Sequence, residues 1–375
     1  MRIAIITLPL RGNYGGILQN YALQTVLKRM GHTVETIVLP WELHQPCWRK
    51  PLSYTKRFIW KFILRKKTRF FYERWYNRNL PILLVNTWNF MFENLRMRKI
   101  GNFSEIQKED YDAFVIGSDQ IWRPSYAYKP IEIVFLSFAK NWKNIKRISY
   151  AASFGVDTWE YTYAETKRCE ALIKLFDAIS VREDSGVELC EKYLHCKAIH
   201  VLDPTMLLTV NDYISLFENK SLVNPQGQLL TYILDETSEK ALIIQKVAEH
   251  YHYQSFRSNS HYEDEDAPLE ERVQPPVEQW LKDFYDAKFV VTDSFHATVF
   301  SILFGKPFIV VANKDRGISR LRSLLGMFNL ENHIIYSLSE LDLSADYSLN
   351  IHSIAMILQS WRVNSMSFLK NKLKG

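Results

Sequence analysis

The stretch 288-KFVVTDSFHATVFSILFGKPFIVV-311 decides the fold. It begins with Phe289 to Thr292, a β-branched apolar run too short for a helix, which predicts a buried strand. Asp293, Ser294 and His296 gather where that strand ends. Joined to His296, the run Ala297 to Phe304 has helical length, and Gly305 closes it. Lys306-Pro307 restarts the chain, and Phe308 to Val311 predicts a second strand. The pattern is a β-α-β unit with a histidine at the mouth of its first strand. In open α/β sheets, ligands bind beyond the carboxyl ends of the strands. A helix N-terminus also presents free N–H groups to anions. His296, flanked by Asp293 and Ser294, is therefore expected to face a negatively charged small molecule in a cleft. A helix N-cap cluster beside a packed imidazole accounts for the same residues.

The same alternation extends outward in both directions. After it, Arg316-Gly317-Ile318-Ser319-Arg320 opens a helix and places two guanidiniums and a hydroxyl near a strand end. Before it, a strand (228–234), a helix (238–251), a short strand (253–256) and a helix (276–285) complete a C-terminal half. The N-terminal half opens with strand 2–8, the turn Arg11-Gly12-Asn13-Tyr14-Gly15-Gly16, a helical face of Leu18, Tyr21, Ala22, Thr25, Val26 and Met30, and strand 33–39. A glycine-rich turn at a helix start lets backbone amides approach a phosphate or carboxylate, which makes Asn13, Gly15 and Gly16 candidate binding residues. The turn lacks the dinucleotide fingerprint, and no acidic residue ends the second strand, so a dinucleotide is not expected. Polar groups follow three more strands: Ser118 and Asp119 after 111–116, Ser153 after 146–151, and Arg182 after 178–181. Arg182 is expected in the same crevice, its planar fork suited to carboxylate or phosphate; a salt bridge to Glu183 or Asp184 is the other reading. A sixth strand, 198–202, meets Asp203-Pro204-Thr205, and Pro204 cannot continue a central strand.

The expected architecture is α/β: two Rossmann-like doubly wound domains facing a cleft, a GT-B-like arrangement. The expected domains are 1–203, with an insertion at about 45–105, and 204–345. Residues 346–375 form a helix docking back on the first domain. With 375 residues, 47% apolar and 23% charged, the chain is long enough for both. The net charge of +6 suits small anions or a membrane surface more than nucleic acid. Between Arg49 and Arg78 eleven Lys or Arg face a single acid, Glu73, with aromatic residues interleaved. Such a stretch is either an insertion with packed aromatics and solvated charges or a peripheral contact with an anionic membrane face. The four cysteines show no zinc spacing, and no metal-ligand cluster is expected. The N-terminus lacks the form of a signal peptide, and no stretch is apolar for long enough to span a bilayer. The expected location is cytoplasmic, or peripheral at the inner face of the cell membrane.

The motifs GNYGGILQNYALQ, VIGSDQIW, SYAASFG, ISVRE, LDPT, TDSFHATVFSILFGKPFIVV and RGISR, in this order, resemble the polysaccharide pyruvyl transferase family. The resemblance runs from the first strand to about Leu325. It implies transfer of pyruvate from phosphoenolpyruvate to sugar hydroxyls of a surface polysaccharide or its lipid-linked precursor, forming a ketal. It implies phosphoenolpyruvate as donor substrate, no cofactor and no metal. The family's catalytic histidine falls on His296 and its arginine on Arg182; Asp119 is the expected base. Many members carry an arginine two residues before the histidine, where this chain has Ser294. Arg316 or Arg320 is left to hold the donor's charge. Two further readings are a nucleotide-sugar-dependent glycosyltransferase of the same shape and a non-catalytic component of a glycan-assembly complex.

Overall fold

The computed structural model describes residues 1–43, 46–65, 69–261, 264, 266–313 and 317–374. Among them, two wholly parallel sheets form. The first holds β1 (Arg2–Ile6), β2 (Thr33–Val38), β3 (Met97–Lys99), β4 (Ala113–Ile116), β5 (Lys146–Ala152), β6 (Ala178–Val181) and β7 (Ile199–His200), in the order β3-β2-β1-β4-β5-β6-β7. The second holds β8 (Leu229–Tyr232), β9 (Ser255–Arg257), β10 (Phe289–Thr292), β11 (Phe308–Val311) and β12 (Ile334–Ile335), in the order β12-β11-β10-β8-β9. The winding reverses between β1 and β4 in one sheet and between β8 and β10 in the other. A reversal splays the flanking connections apart and leaves a crevice at the carboxyl ends of the strands.

The decisive stretch folds as its pattern predicts. Strand β10 pairs in parallel with β8 through Val291 and Thr231 and with β11 through Val291 and Ile309. Helix Phe295–Leu303 joins β10 to β11 and is buried all round. A helix apolar on every side belongs inside a large core. Phe300 meets the edge of Trp280 at 5.1 Å and of Tyr213 at 4.9 Å. Gly305 follows in the left-handed conformation, at φ +65°, and ends the helix.

Two local readings are corrected. Strand β3 comes from inside the interval read as an insertion. Three residues of Met-Arg-Lys at a sheet edge are too short and too polar to give a periodic signal. The first helix starts at Tyr14, so Gly15 and Gly16 lie in its first turn instead of before it. Asn13 sets that start, because its side-chain oxygen accepts from the Gly16 amide at 3.2 Å.

The two sheets sit against one another along a tight seam. Tyr14 stacks on Trp280 at 5.5 Å and donates its hydroxyl to the Pro275 carbonyl at 2.8 Å. Gln274 Nε2 donates to the Gly12 carbonyl at 3.2 Å, and the Asp184 amide to Ser323 Oγ at 3.0 Å. Gly317 lies so close that a Cβ there would stand 1.7 Å from the Gly155 carbonyl oxygen. Helix Ile351–Lys372 then returns to the first sheet. Its Ser365 Oγ accepts from the Leu202 amide at 3.0 Å, Arg362 Nε donates to the Met206 carbonyl at 2.6 Å, and Phe368 packs on Tyr150.

Candidate active site

A cavity of about 560 Å³ opens where the two crevices meet. Arg11, Asn13 and Gly15, beyond β1, and Asp119, beyond β4, line it from the first lobe. Asp293, Ser294 and His296, beyond β10, and Arg320 line it from the second. The volume lies in the range of small-molecule sites.

His296 sits in the first turn of helix Phe295–Leu303 and crosses the seam. Its ring lies on Gly15 of the opposite lobe so closely that a Cβ there would stand 2.0 Å from Nδ1. Only glycine admits this approach. On the other side, Nε2 is 3.7 Å from Asp203 Oδ2, beyond a direct hydrogen bond, and is buried with no hydrogen-bond partner among the described residues. Asp203 also accepts from Ser118 Oγ, Arg182 Nη1, and the amide and hydroxyl of Thr205. Burial works against its charge, but His296, Arg182 and Thr205 outweigh burial and hold its carboxyl well below the usual range.

Arg182 departs from the expected placement. Its side chain is only 1% exposed and does not reach the cavity surface. It bridges Asp203 at 2.8 Å and Asp119 at 3.1 Å, rather than Glu183 or Asp184. The β6 end is overlaid by helix Phe295–Leu303, and the Phe295 ring lies 4.2 Å from the guanidinium. Burial disfavours the Arg182 charge; Asp203, Asp119 and Glu183 more than offset that and raise its pKa. Asp119 is similarly opposed by burial, yet Arg182, His296 and Arg320 keep its carboxyl below the ordinary value. Arg320 comes within 3.9 Å of Asp119. Burial and the neighbouring Arg182 push its guanidinium down to about 10, still charged at neutral pH.

Three further candidates do not line the cavity. Ser118 is buried behind the cavity on the Ala151 carbonyl and Asp203, because the turn after β4 points its hydroxyl back into the sheet. Ser153 donates to Glu183 Oε1 and holds the turn after β5. Ser319 is buried beside the cavity and outside its lining. Arg316 lies outside the described residues. Asp293 lines the wall, but its oxygens already accept from the Leu234 amide at 2.7 Å and Lys240 Nζ at 2.6 Å.

Helix Phe295–Leu303 has no side-chain cap at Ser294. Ser294, Phe295 and His296 at its start line the cavity, and an uncapped helix start is an arrangement that attracts an anion. Sequence reasoning missed two participants. Arg11 lines the cavity, its Nη1 donating to the Tyr76 hydroxyl at 3.4 Å. It is the first charge after β1, the signal that singled out Arg182 after β6. Asp203 was read only as a boundary; its role depends on meeting His296 across the seam, and sequence separation hides that.

A family model described as polysaccharide pyruvyl transferase matches residues 13–315. The chain belongs to that family. It is therefore a transferase acting in polysaccharide biosynthesis. Across its whole length this pyruvyl transferase family member is similar to UDP-GlcNAc 2-epimerase from Neisseria meningitidis, solved bound to UDP-GlcNAc. The identity is 10%, coverage is 100% of this chain and 99% of that chain, and the TM-score is 0.51. It also overlays, more loosely, on MurG from Acinetobacter baumannii at 10% identity, 99% and 93% coverage and a TM-score of 0.43. At such identity the first likeness is one of fold alone. No curated protein matches the chain. For this family member the architecture is two Rossmann-like domains facing a cleft, the GT-B arrangement.

Proposed function

We propose that the chain moves pyruvate from phosphoenolpyruvate onto two hydroxyls of a sugar in a surface polysaccharide or its lipid-linked precursor, forming a ketal. The observation that carries this reading is the placement of His296: an imidazole bridging two lobes, on Gly15 and opposite Asp203. It stands beside an uncapped helix N-terminus and the cavity-lining Arg11 and Arg320. The donor is a phosphate and a carboxylate on three carbons. Arg11, Arg320 and the helix N-terminus supply the positive groups such an anion needs.

His296, as imidazolium, delivers its proton to the donor's methylene carbon, leaving positive charge on the carbon that bears the phosphate oxygen. Asp203 stays anionic and supports the imidazolium. A sugar hydroxyl adds to that carbon and its proton passes to a base. The carbon–oxygen bond to phosphate then breaks, phosphate leaves, and a second hydroxyl adds, its proton leaving with phosphate. Asp119 lines the cavity as the candidate base, although its pairing with Arg182 and Arg320 makes it a weak one. Arg182 acts here as a positioning residue that fixes Asp119 and Asp203.

The test is incubation with phosphoenolpyruvate or with a panel of nucleotide sugars, each with candidate acceptors. Phosphate release without nucleoside diphosphate supports pyruvyl transfer. Nucleoside diphosphate release with no reaction of phosphoenolpyruvate assigns the cleft to glycosyl transfer instead.

A further inference from the structure

The basic, aromatic stretch is not absorbed by the site. It folds as a helix Lys50–Phe58 running into a π-helical turn Ile59–Ile63, with no buried residue in either. Leu52, Ile59 and Ile63 recur at helical spacing on one face, and Trp48 and Phe62 stand exposed beside it. Leu52 is 77% exposed, Trp48 73%, Ile63 66% and Phe62 61%. Trp48, Phe58, Phe62 and Phe71 stay exposed, whereas Tyr76 packs on the core, so the packed-insertion reading holds only for the second half of the stretch. The rod is held from its other side, where Tyr54 stacks on Phe70 at 5.2 Å and Arg57 clasps Glu73 at 2.5 and 2.7 Å.

That clasp decides the electrostatics. Glu73 is the single acid in the stretch, and Arg57 neutralises it. Arg49, Lys50, Lys56, Lys61 and Arg65 remain exposed around the apolar face. Lys56 Nζ lies over the Trp60 ring at 4.5 Å and the Arg49 guanidinium over Trp48 at 4.6 Å, apolar body and charged tip side by side. Exposed apolar anchors among Lys and Arg side chains match a surface that is hydrocarbon within and anionic at its face. A second copy of the chain would set these same cations against each other. Among the described residues no helix is long and apolar enough to cross a membrane, so the contact is one of lying on the surface.

We infer that this segment docks the protein on an anionic lipid bilayer. The position of the segment adds a consequence. Tyr72 packs on Tyr76, and the Tyr76 hydroxyl lies 3.4 Å from Arg11 of the cavity wall. The Arg57 guanidinium stands 5.7 Å from the Tyr72 ring. Only a few side chains separate the docking face from the cavity, so a bilayer-borne acceptor is within its reach.

The test is vesicle co-sedimentation of the full chain. Phosphatidylcholine vesicles with phosphatidylglycerol should pull it down, pure phosphatidylcholine should do so at least ten-fold less, and added salt should weaken the binding. A Leu52→Glu/Ile63→Glu variant removes the apolar anchors; a Lys56→Glu/Lys61→Glu variant reverses the charge. Each should lower binding to the anionic vesicles at least ten-fold, with an unchanged circular dichroism spectrum and unchanged turnover of a soluble acceptor. Equal sedimentation of wild type and both variants overturns the inference. So does a wild-type dimer that the first variant dissociates, with no vesicle binding by either. The donor assignment plays no part in this result: vesicle binding without turnover of phosphoenolpyruvate would leave the docking face standing and remove the proposed reaction.

Discussion

Gly15 and His296 belong to different lobes, and their close contact leaves the imidazole little room on that side. A methyl group at position 15 would overlap the ring at 2.0 Å, so Gly15→Ala must displace it. Displacements on the order of 1 Å in a catalytic group cost about 100-fold in rate. We expect kcat to fall by that order with little change in melting temperature, measured by steady-state kinetics beside a thermal melt. Asp203 gives a pH signature. Its carboxyl is depressed in the folded state. It therefore contributes stability above its unfolded value of about 3.9 and loses that contribution as pH falls through the folded value. Asp203→Asn leaves the buried Arg182 charge short of a partner, a loss of roughly 3 kcal/mol. Thermal melts of the two proteins should differ by a constant gap near neutral pH, and the gap should narrow below about pH 4. A gap independent of pH would mean that Asp203 is not ionised in the fold.

Helix Phe295–Leu303 has two duties, and one substitution separates them. Ser294 occupies the N-cap position but makes no side-chain bond to the first turn. Ser294→Asp supplies a capping carboxylate and a favourable charge for the helix dipole, a gain of about 0.5–1 kcal/mol. The same carboxylate would repel an anionic donor from the free N–H groups. We expect an unchanged or raised melting temperature together with a KM for phosphoenolpyruvate at least ten-fold higher. If KM is unchanged, the helix N-terminus does not meet the donor. At this scale most of the fold was legible. The run 288–311 announced its strand, helix and strand because alternation between β-branched residues, a polar cluster and a glycine stop is local chemistry. Strand β3 was not, because Met97–Lys99 takes its conformation from β2 beside it. The polar residues at strand ends were legible as a group, while their directions were not. Nothing in the local sequence separates Arg11, which reaches the cavity, from Arg182, which is covered by Phe295.

In the whole molecule, the lobes are joined by packing rather than by a polar hinge. Tyr14 and Trp280 are buried from opposite sides of the seam, and one apolar cluster continues from Ile3 through Tyr14 and Trp280 to Val290. Inter-domain motion is the default where interfaces are small and polar. Here the shared core predicts that differential scanning calorimetry records a single unfolding transition; two separate transitions would contradict it. The same seam makes the chemistry, since His296 meets Gly15 and Asp203 only when the two sheets are joined. The central claim is that the assembled cleft protonates the methylene carbon of phosphoenolpyruvate before sugar hydroxyls add. Running the reaction in deuterium oxide and weighing the product by mass spectrometry tests it. The account predicts a ketal whose methyl group carries one solvent deuterium, formed by the wild type and lost with His296→Ala. A ketal with no solvent deuterium in its methyl group, or undiminished formation by the variant, would contradict it.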